Sequence, residues 1–450
     1  MTAAEVTAPF AVRAGLVVPR IATTVCVTTG AVVALAPSLL PRGVAVQAIL
    51  TGLLAALGWA ISRAWYRVGE RSTATGGSVS RARLVVATAG AATLGAAVLA
   101  ADRWQNGLRA AMGLSSVGMS HWVAVLAGGG VVAGVLVGAA SGVAALVRRL
   151  GRRRLAAVLL VCAVIGTLRL GPSATPVAQA LGASNAASDL SLPRPESPSM
   201  SGSAASLTPW ETLGGHGRRF VTAPAAASTV RTYVGLDSAP DLDARVRLAV
   251  RELERAGGLT RSHVVVTVPT GSGWIDGNAV AGFERRFAGN VAEVAVQYSA
   301  APSWVTFVFD RDSARRSARA LYAAVADRVS HMPPDARPAV HLYGQSLGAV
   351  GAAATDAACG VLLAGPPAGR TPGPGVTVLA NASDPVVHWS PGLILSPPRL
   401  DGTRPDAPTP RWLPVVSFLQ TSVDLLTSLD AAPGHGHRYG TDQGTALPDC

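Results

Sequence analysis

Five apolar segments occupy most of the first 171 residues, and they constrain the fold of this chain more than any other feature. Their approximate bounds are 15–36, 44–62, 84–101, 122–147 and 155–170. A helix needs about 20 apolar residues to cross the hydrocarbon of a bilayer, a length that the first, second and fourth segments approach. Arginines beside the short fifth segment can extend it by reaching toward the interface. We therefore predict an all-α transmembrane domain of about five helices over residues 1–171.

The positive charge of the chain belongs to this apolar third. The net charge is +12, and the chain contains no lysine. Residues 1–171 carry 16 arginines and three acidic residues, whereas residues 172–450 carry 22 arginines and 23 acidic residues. Arginines that flank apolar segments are typical of membrane helices, whereas a nucleic-acid site needs a basic face. We expect the bilayer as a partner and no nucleic acid.

The arginines also predict an orientation. Five lie in 63–83, five in 148–154 and two near the N-terminus, against four on the opposite side. The positive-inside rule then places the N-terminus in the cytoplasm. With five spans, everything after residue 171 lies outside the cytoplasm, and an even number of spans would reverse that conclusion. We predict a multi-pass protein whose second half is extracytoplasmic.

The second half begins with a polar stretch and continues as an α/β pattern. Residues 172–215 are rich in Ser, Pro, Ala and Gly, which predicts a flexible linker. From residue 216 onward, apolar strand-like runs alternate with helical segments, which predicts a mainly parallel sheet with helices on both faces over 216–450. The predicted strands are 232–236, 263–268, 294–298, 339–343, 360–364 and 376–380, and the predicted helices are 242–256, 278–287, 313–329 and 347–357. Residues 304–310 fit either a strand or a helix.

A G-x-S-x-G motif carries the chemistry. It consists of Gly344, Gln345, Ser346, Leu347 and Gly348, and it follows an apolar strand and precedes a helix of small residues. The glycines permit a sharp turn and a close approach of strand and helix, which leaves the serine at the strand end. This arrangement is the nucleophile elbow of α/β-hydrolases, so we predict Ser346 as the nucleophile.

A serine hydroxyl needs a histidine as base and an acidic residue that orients it. In this fold the acid follows the serine along the chain, and the histidine comes after the acid. Asp384 follows the strand predicted at 376–380, and His435 and His437 are the histidines near the terminus. His388 is too close to Asp384 in sequence to be its expected partner. We predict Asp384 as the acid, and the choice between His435 and His437 as the base stays open.

The oxyanion hole is expected at two places. The first donor is the backbone N–H of Leu347, and the second comes from the loop after strand 263–268, with Gly271 and Ser272 as candidates. Trp274 in that loop is either a wall of the substrate pocket or a core residue.

Metal and nucleotide chemistry are not predicted. The chain has no phosphate-loop motif and no cysteine–histidine cluster with zinc spacing, so we expect no cofactor and no metal. A bridge between Cys359 and Cys450 is open but not favoured, and cysteine usage leaves the redox compartment undecided.

The sequence resembles the actinobacterial membrane-anchored α/β-hydrolases, which have a multi-helix N-terminal domain and a C-terminal catalytic domain. The similar segments run in order along nearly the whole chain: Pro37-Ser-Leu-Leu-Pro-Arg42, Trp104-Gln105 with Arg109, Gly217-Arg-Arg-Phe-Val221, Tyr233-Val-Gly-Leu-Asp-Ser-Ala239, Pro269-Thr-Gly-Ser-Gly-Trp274, Gln297-Tyr-Ser299 with Ser303-Trp304, the elbow, Ala364-Gly-Pro-Pro367, Ala382-Ser-Asp-Pro385 with Trp389-Ser-Pro391, and Pro433-Gly-His-Gly-His437. The resemblance implies Ser346, Asp384 and one histidine of the final segment as a triad, in a cell-envelope setting. Gln345 stands where the family pattern has Glu, and the stretches after Pro367 and Pro391 are shorter, which implies a reduced cap.

These features together predict a membrane-anchored serine hydrolase that forms an acyl-enzyme on lipid or acyl-ester substrates of the cell envelope. An acyltransferase with the same triad is an alternative, and so is a non-catalytic envelope scaffold. A transport or lipid-handling role for the helices is less favoured, because no Asp, Glu or His lies at mid-membrane depth. The sequence does not indicate an oligomeric state.

Overall fold

A computed structural model of the chain describes residues 19–69, 78–170, 185, 191–357, 359–369, 373–440 and 442–450, with the backbone alone at 67–69, 78–80 and 151–170. Its contacts divide the chain into two units. The helical unit comprises Met1–Pro37, Arg42–Asn106 and Val117–Arg152. The α/β unit comprises Ser38–Pro41, Gly107–Ser116 and Arg153–Cys450.

The first part of the chain is helical, as predicted. Its helices are α1 (Ile21–Ala34), α2 (Val44–Gly69), α3 (Ser78–Ala111) and α4 (Met119–Leu170). Within the described residues, Val44–Tyr66, Arg81–Ala111 and Met119–Leu150 are long and apolar enough to cross a membrane, and α1 is a shorter apolar helix. The fold therefore has three membrane-length helices, which suggests association with a bilayer.

The prediction of about five separate helices was wrong in its count. The fourth and fifth apolar segments, 122–147 and 155–170, belong to the single helix α4. The connection between them was predicted at residues 148–154, which contain five arginines, Gly151 and no proline. Arginine is a good helix former, so charge alone does not end a helix there. The predicted orientation used five separate spans, and this count is not supported when the last two segments form one helix.

Small residues bring α1 and α2 together. A Cβ at Gly30 would clash with the carbonyl of Leu54, and one at Gly58 would clash with the carbonyl of Cys26. Glycine is therefore required at both crossings, because only a hydrogen leaves room for the facing backbone. Cys26 is a free thiol in this helix pair.

The α/β unit contains a six-stranded sheet in which every neighbouring pair is parallel. The strand order is β1-β3-β2-β4-β5-β6. The strands are β1 (Val230–Val234), β2 (His263–Val268), β3 (Val291–Val296), β4 (Ala339–Gln345), β5 (Val361–Ala364) and β6 (Val376–Leu379). The helices are α5 (Gly214–Thr222), α6 (Leu242–Arg255), α7 (Gly277–Arg286), α8 (Ser303–Phe309), α9 (Arg311–Ser330), α10 (Leu347–Ala352), α11 (Pro385–His388) and α12 (Val416–Asp424).

Both faces of the sheet are covered, as the sequence predicts. Val264 and Val266 pack into a cluster with residues of α6 and α9, while Val265 packs on the opposite face with Phe283 and Tyr343. Successive side chains of a strand point to opposite faces, so a continuous Val-Val-Val run fits a strand buried on both sides. The six predicted strands are present to within a few residues, and the undecided segment 304–310 falls largely in helix α8.

Part of the predicted linker is folded. Residues 171–184 and 186–190 lie outside the described residues, but 191–215 pack onto the sheet with Trp210 and Leu213 buried. The fully buried carboxylate of Glu252 accepts hydrogen bonds from the hydroxyls of Ser201 and Ser206. The expectation of a flexible linker is therefore wrong for 191–215, because its serines bind a buried acid rather than water. The remaining domain boundaries stay predictions.

Candidate active site

The elbow forms as the sequence predicts. Ser346 stands between β4 and α10 with a φ of +55°, a conformation that costs energy for a residue with a Cβ. A Cβ at Gly344 would clash with the carbonyl of Gly348, and one at Gly348 would clash with the carbonyl of Val268. The two glycines thus let the turn close on itself and on the end of β2. Ser346 is left half-buried at the carboxyl end of the central strand.

Two residues of the elbow have distinct surroundings. Leu347 is the first residue of α10, so its N–H has no acceptor within the helix. Gln345 is buried, and its amide donates to the carbonyl of His437 at 3.3 Å while its oxygen accepts from Gln443 at 3.1 Å. Gln345 therefore holds the segment that carries His437, which accounts for an amide at this position.

Asp384 and His437 form a buried pair. The imidazole Nδ1 of His437 donates to Asp384 Oδ2 at 2.7 Å. The Asp384 carboxylate is fully buried and also accepts from the N–H of Val386 at 2.8 Å and from the hydroxyl of Tyr439 at 2.7 Å. These three donors fix the carboxylate and orient the imidazole. In the part of the chain that the structure describes, His437 Nε2 is buried without a hydrogen-bond partner.

Gly365 makes room for this pair. It follows β5 with a φ of +52°, and a Cβ there would lie 2.6 Å from His437 Cε1 and 2.9 Å from Asp384 Oδ2. Any side chain would displace the imidazole from the carboxylate. The requirement for glycine is thus both conformational and steric.

His435 has a different partner. Its Nδ1 lies 3.1 Å from Asp406 Oδ2, and it is not among the residues that line the cavity described below. Asp406 also accepts from the N–H of Ser383 at 2.9 Å, and the Ser383 hydroxyl accepts from the N–H of Gly436 at 2.7 Å. This network fastens the loop between the two histidines to the residue next to Asp384. The geometry therefore separates two histidines that the sequence leaves equivalent.

His388 is buried on α11, where its Nε2 donates to the carbonyl of Ala382 at 2.8 Å. Burial lowers its pKa, with the Ala382 carbonyl and nearby acids opposing that effect. Burial raises the pKa of Asp276, because it disfavours the charged carboxylate, and the N–H of Asn278 and the charges of His437 and Arg438 oppose the rise. Neither group takes part in the Asp384–His437 pair.

Ser346 and His437 open into the same cavity, which has a volume of about 660 Å³. Its walls are mainly apolar and include Trp274, Trp304, Phe307, Trp389, Leu425 and Leu429. Trp274 is therefore part of the cavity wall. Apolar walls with a few polar groups are typical of sites for small organic ligands.

The two candidates for the second oxyanion donor differ. Ser272 lines the cavity, whereas Gly271 does not. The Gly271 N–H donates instead to the hydroxyl of Ser303 at 3.1 Å. The structure thus brings Ser272, Leu347, Ser346 and His437 to one cavity and engages Gly271 elsewhere.

Comparison with known families agrees with this architecture. A model described as an alpha/beta-hydrolase family matches residues 230–372 and 367–447, and the model of the same family's N-terminus matches residues 35–224. The chain belongs to this alpha/beta-hydrolase family. The two descriptions name neither a membrane anchor nor a group of organisms. No curated protein and no solved structure matched the chain.

The match to the family's N-terminus begins at a segment that packs against the histidine loop within the α/β unit. Leu39 and Leu40 are buried in a cluster with Met112 and Ala431, and the N–H of Leu39 donates to Asp424 Oδ2 at 2.8 Å. Leu40 Cδ2 also lies 3.1 Å from the place of a Cβ on Gly436. Sequence reasoning missed this support for the site. The signal was present, because two buried leucines stand between two prolines after an apolar helix.

Three potential metal ligands lie at the opposite edge of the sheet. His341, Cys359 and Cys450 have ligand atoms within 4.8 Å of one another. Cys359 and Cys450 are joined as a disulfide with a Cα–Cα distance of 4.5 Å, which takes both sulfurs out of use as thiolate ligands. The bridge that the sequence did not favour is therefore formed.

Proposed function

We propose that this family member is a membrane-anchored serine hydrolase that cleaves acyl esters through an acyl-enzyme on Ser346. The observation that carries the proposal is the buried Asp384–His437 pair, whose histidine lines the same cavity as Ser346. A histidine with Nδ1 held by a carboxylate keeps Nε2 as its acceptor. We assign Ser346 as nucleophile, His437 as base and Asp384 as orienting acid.

The reaction follows from these positions. His437 Nε2 takes the proton of Ser346 as the oxygen attacks the ester carbonyl, and the N–H of Leu347 and a donor of Ser272 stabilise the oxyanion. The tetrahedral intermediate then collapses, the ester C–O bond breaks, and the imidazolium protonates the leaving alcohol. Water deprotonated by His437 releases the acid and restores Ser346. An alcohol in place of that water would make the same acyl-enzyme an acyltransferase.

We infer the side of the membrane from two segments of the α/β unit. Ser38–Pro41 precedes α2, and Gly107–Ser116 includes the end of α3. The arginine-rich stretch 63–83 lies at the other ends of these two membrane-length helices. The positive-inside rule assigns that stretch to the cytoplasm and the α/β unit to the exterior. Because Met119–Leu150 begins on the exterior side and ends at the arginines of 148–154, this assignment also requires the chain to cross the membrane once more before residue 191. The Cys359–Cys450 disulfide is typical of an oxidising compartment.

Pre-steady-state hydrolysis of 4-nitrophenyl butyrate by the full-length protein in detergent tests the activity. We expect a burst of nitrophenol equal to the enzyme concentration, absent in Ser346→Ala and kept in Ser428→Ala, a second serine of the cavity. Folded wild-type protein without hydrolysis would favour the scaffold alternative. Product analysis with added alcohol separates hydrolysis from acyl transfer.

Labelling of intact cells with a membrane-impermeant fluorophosphonate tests the location. The exterior assignment predicts labelling before lysis that is lost in Ser346→Ala. Labelling seen only after lysis would keep the enzyme and reverse the orientation.

A further inference from the structure

The α/β unit exposes its largest apolar side chains around the mouth of the cavity. Among the large apolar side chains described in that unit, five are more than half exposed, and we call them the apolar rim: Trp304, Phe309, Leu395, Leu426 and Leu429. Trp304 and Leu429 line the cavity of Ser346, and Phe309 and Leu426 each follow a lining residue in sequence. Single exposed apolar residues are ordinary, whereas a group of them at one place indicates an interaction site.

Contacts join the elements that carry the rim into one surface. The indole of Trp389, in the cavity wall, packs against Phe307 of α8 at a centroid distance of 6.1 Å and against the phenylalanine of α12 at 5.9 Å. The N–H of Val415, just before α12, donates to the carbonyl of Ile394, the neighbour of Leu395, at 2.9 Å. The rim is therefore continuous from α8 to α12.

The segments that carry the rim are uncharged. Residues 302–309, 389–398, 412–423 and 425–429 contain no Asp, Glu, Arg or Lys, although residues 172–450 carry 22 arginines and 23 acidic residues. Interfaces between proteins usually have a polar border. Exposed Trp, Phe and Leu without charges are instead typical of surfaces that lie in a membrane interface. The chemistry of the rim thus favours a bilayer as its partner.

Chain connectivity keeps this unit close to a bilayer. Leu40 is buried in the α/β unit beside Gly436, and the membrane-length helix α2 begins at Val44. Four residues of extended chain reach no more than about 14 Å. Gly107–Ser116 also belongs to the unit and includes the end of α3. Two membrane-length helices thus tether the unit, and a tether gives its surface a high effective concentration at the bilayer.

We propose that the apolar rim docks into the leaflet that faces the α/β unit, in the bilayer that the chain's own helices cross. The mouth of the cavity then opens toward hydrocarbon, and an acyl chain enters along Trp304 and Phe307 without passing through water. Such a transfer avoids the hydration of apolar surface that opposes the extraction of a membrane lipid. The docking rests on the membrane anchor proposed above and not on the chemistry of Ser346. It narrows the substrates of the proposed hydrolase to esters that reside in the bilayer.

The depth of a dye at the rim tests the docking without any need for catalysis. The full-length protein carries Cys26→Ser and Cys162→Ser, a nitrobenzoxadiazole dye on Leu426→Cys, and the intact Cys359–Cys450 bridge. It is placed as a single copy in phosphatidylcholine nanodiscs with and without a 5-doxyl lipid. We expect the nitroxide to quench the dye at least about twofold, because interfacial apolar side chains lie about 5–10 Å into the boundary between headgroups and acyl chains.

Leu207 provides the matched control, as Leu207→Cys with the same dye. It is 46% exposed, lies outside the cavity lining, and donates its N–H to Glu252 in the last turn of α6 at 2.8 Å. Its dye should stay in water and escape the nitroxide. Equal quenching at positions 207 and 426 would overturn the docking. A dye at 426 that is shielded from water but not quenched would also overturn it, since protein would then cover the rim. Shielding that needs two copies in one disc would identify a second copy as that cover.

Turnover of two esters in the same discs tests the delivery of substrate. The ratio of turnover on 4-methylumbelliferyl palmitate to that on 4-nitrophenyl butyrate should fall at least about tenfold in Phe309→Ser/Leu426→Ser, because the variant loses two apolar side chains from the interface. Leu207→Ser should leave the ratio unchanged. An unchanged ratio in the rim variant would overturn the delivery from the bilayer. Quenching at the rim of a protein that hydrolyses neither ester would refute the proposed function and leave the docking standing.

Discussion

The two edges of the parallel sheet both gather histidines, and they give them different hydrogen-bond partners. At the carboxyl ends of the strands, His437 donates to the buried Asp384 and lines the cavity that Ser346 also lines. At the amino ends, His341 Nε2 lies 3.0 Å from His263 Nδ1, and His341 Nδ1 lies 3.5 Å from the sulfur of Cys359. The first histidine has a carboxylate as its hydrogen-bond partner, whereas the partners described for the second are an imidazole and a sulfur.

The pKa of His341 reflects that difference. Burial is the main cause that lowers it to about 4, the nearby His263 and Arg286 act in the same direction, and Asp449 opposes them. A histidine held neutral at pH 7 beside a disulfide packs the core and takes up no proton. Burial of a histidine is thus insufficient for base catalysis, which also needs an orienting acid and access to the nucleophile.

The largest expected effect separates the two edges by activity. His437→Gln should lower kcat for 4-nitrophenyl butyrate by about 10⁴–10⁶-fold, because base and nucleophile act as a unit. His341→Gln at the opposite edge should change kcat by less than about twofold at 25 °C, since it touches no part of the cavity. Steady-state kinetics on the full-length proteins measures both.

His435→Gln is the control within the same loop. It loses one hydrogen bond to Asp406 and should cost no more than about tenfold in kcat. A loss in His435→Gln equal to that in His437→Gln would show that the two histidines are not separated as the structure indicates.

The next effect concerns the stability of the amino edge. The disulfide closes a loop of 91 residues, so Cys450→Ser should lower the free energy of unfolding by about 4 kcal/mol. Activity at 25 °C should be retained because the bridge lies at the edge away from Ser346. Thermal inactivation of the full-length protein, with and without a thiol reductant, measures the loss. An unchanged inactivation temperature in the reduced wild type would contradict the assignment.

A smaller effect is expected at the carboxyl edge, where Leu40 packs against the histidine loop. Leu40→Ala leaves a cavity beside Ala431 and Gly436, and such truncations cost about 2–5 kcal/mol. At temperatures well below the melting temperature we expect a lower kcat with KM nearly unchanged, because the loop that carries His437 loses a packing contact. Leu40→Met should restore kcat, and Leu84→Ala, at an exposed position of α3, should change nothing. A lower melting temperature with normal kcat would reduce Leu40 to a stabilising residue.

The smallest effect is a pH dependence at the amino edge. Between about pH 6.5 and pH 4, an unfolded chain binds a proton at His341 that the folded chain does not. Stability contributed by the neutral imidazole is therefore present above pH 6.5 and is lost as the pH falls toward 4. His341→Gln should flatten this dependence in thermal inactivation measured at pH 5 and pH 7. A steeper dependence in the variant would contradict the sign.

Local sequence patterns were sufficient for the elbow and the acid. Gly344, Ser346 and Gly348 are adjacent in sequence, and Asp384 follows a strand by a few residues, so the strand ends fix their positions. The parallel order of the sheet then brings these ends to one edge. No knowledge of distant contacts was needed for these residues.

Choosing between the histidines required contacts that sequence does not display. Asp406 binds His435, and the hydroxyl of Ser383 accepts from the backbone N–H of Gly436. Neither Asp406 nor Ser383 belongs to a recognisable motif. The ordered part of the linker depends in the same way on the buried Glu252, which lies some 40 or more residues further along the chain. Contacts with residues distant in sequence therefore determine which histidine pairs with Asp384 and which part of the linker is folded. The same holds for Gly271, whose N–H donates to the hydroxyl of Ser303.

The central claim is that Asp384 and His437 activate Ser346, and mapping a covalent adduct tests it most directly. The full-length protein is treated with a fluorophosphonate, digested, and analysed by mass spectrometry. We predict one modified residue, Ser346, with the rate of modification reduced by orders of magnitude in His437→Gln and nearly unchanged in His435→Gln. Modification of another serine of the cavity, or an equal rate in His437→Gln and the wild type, would contradict the account.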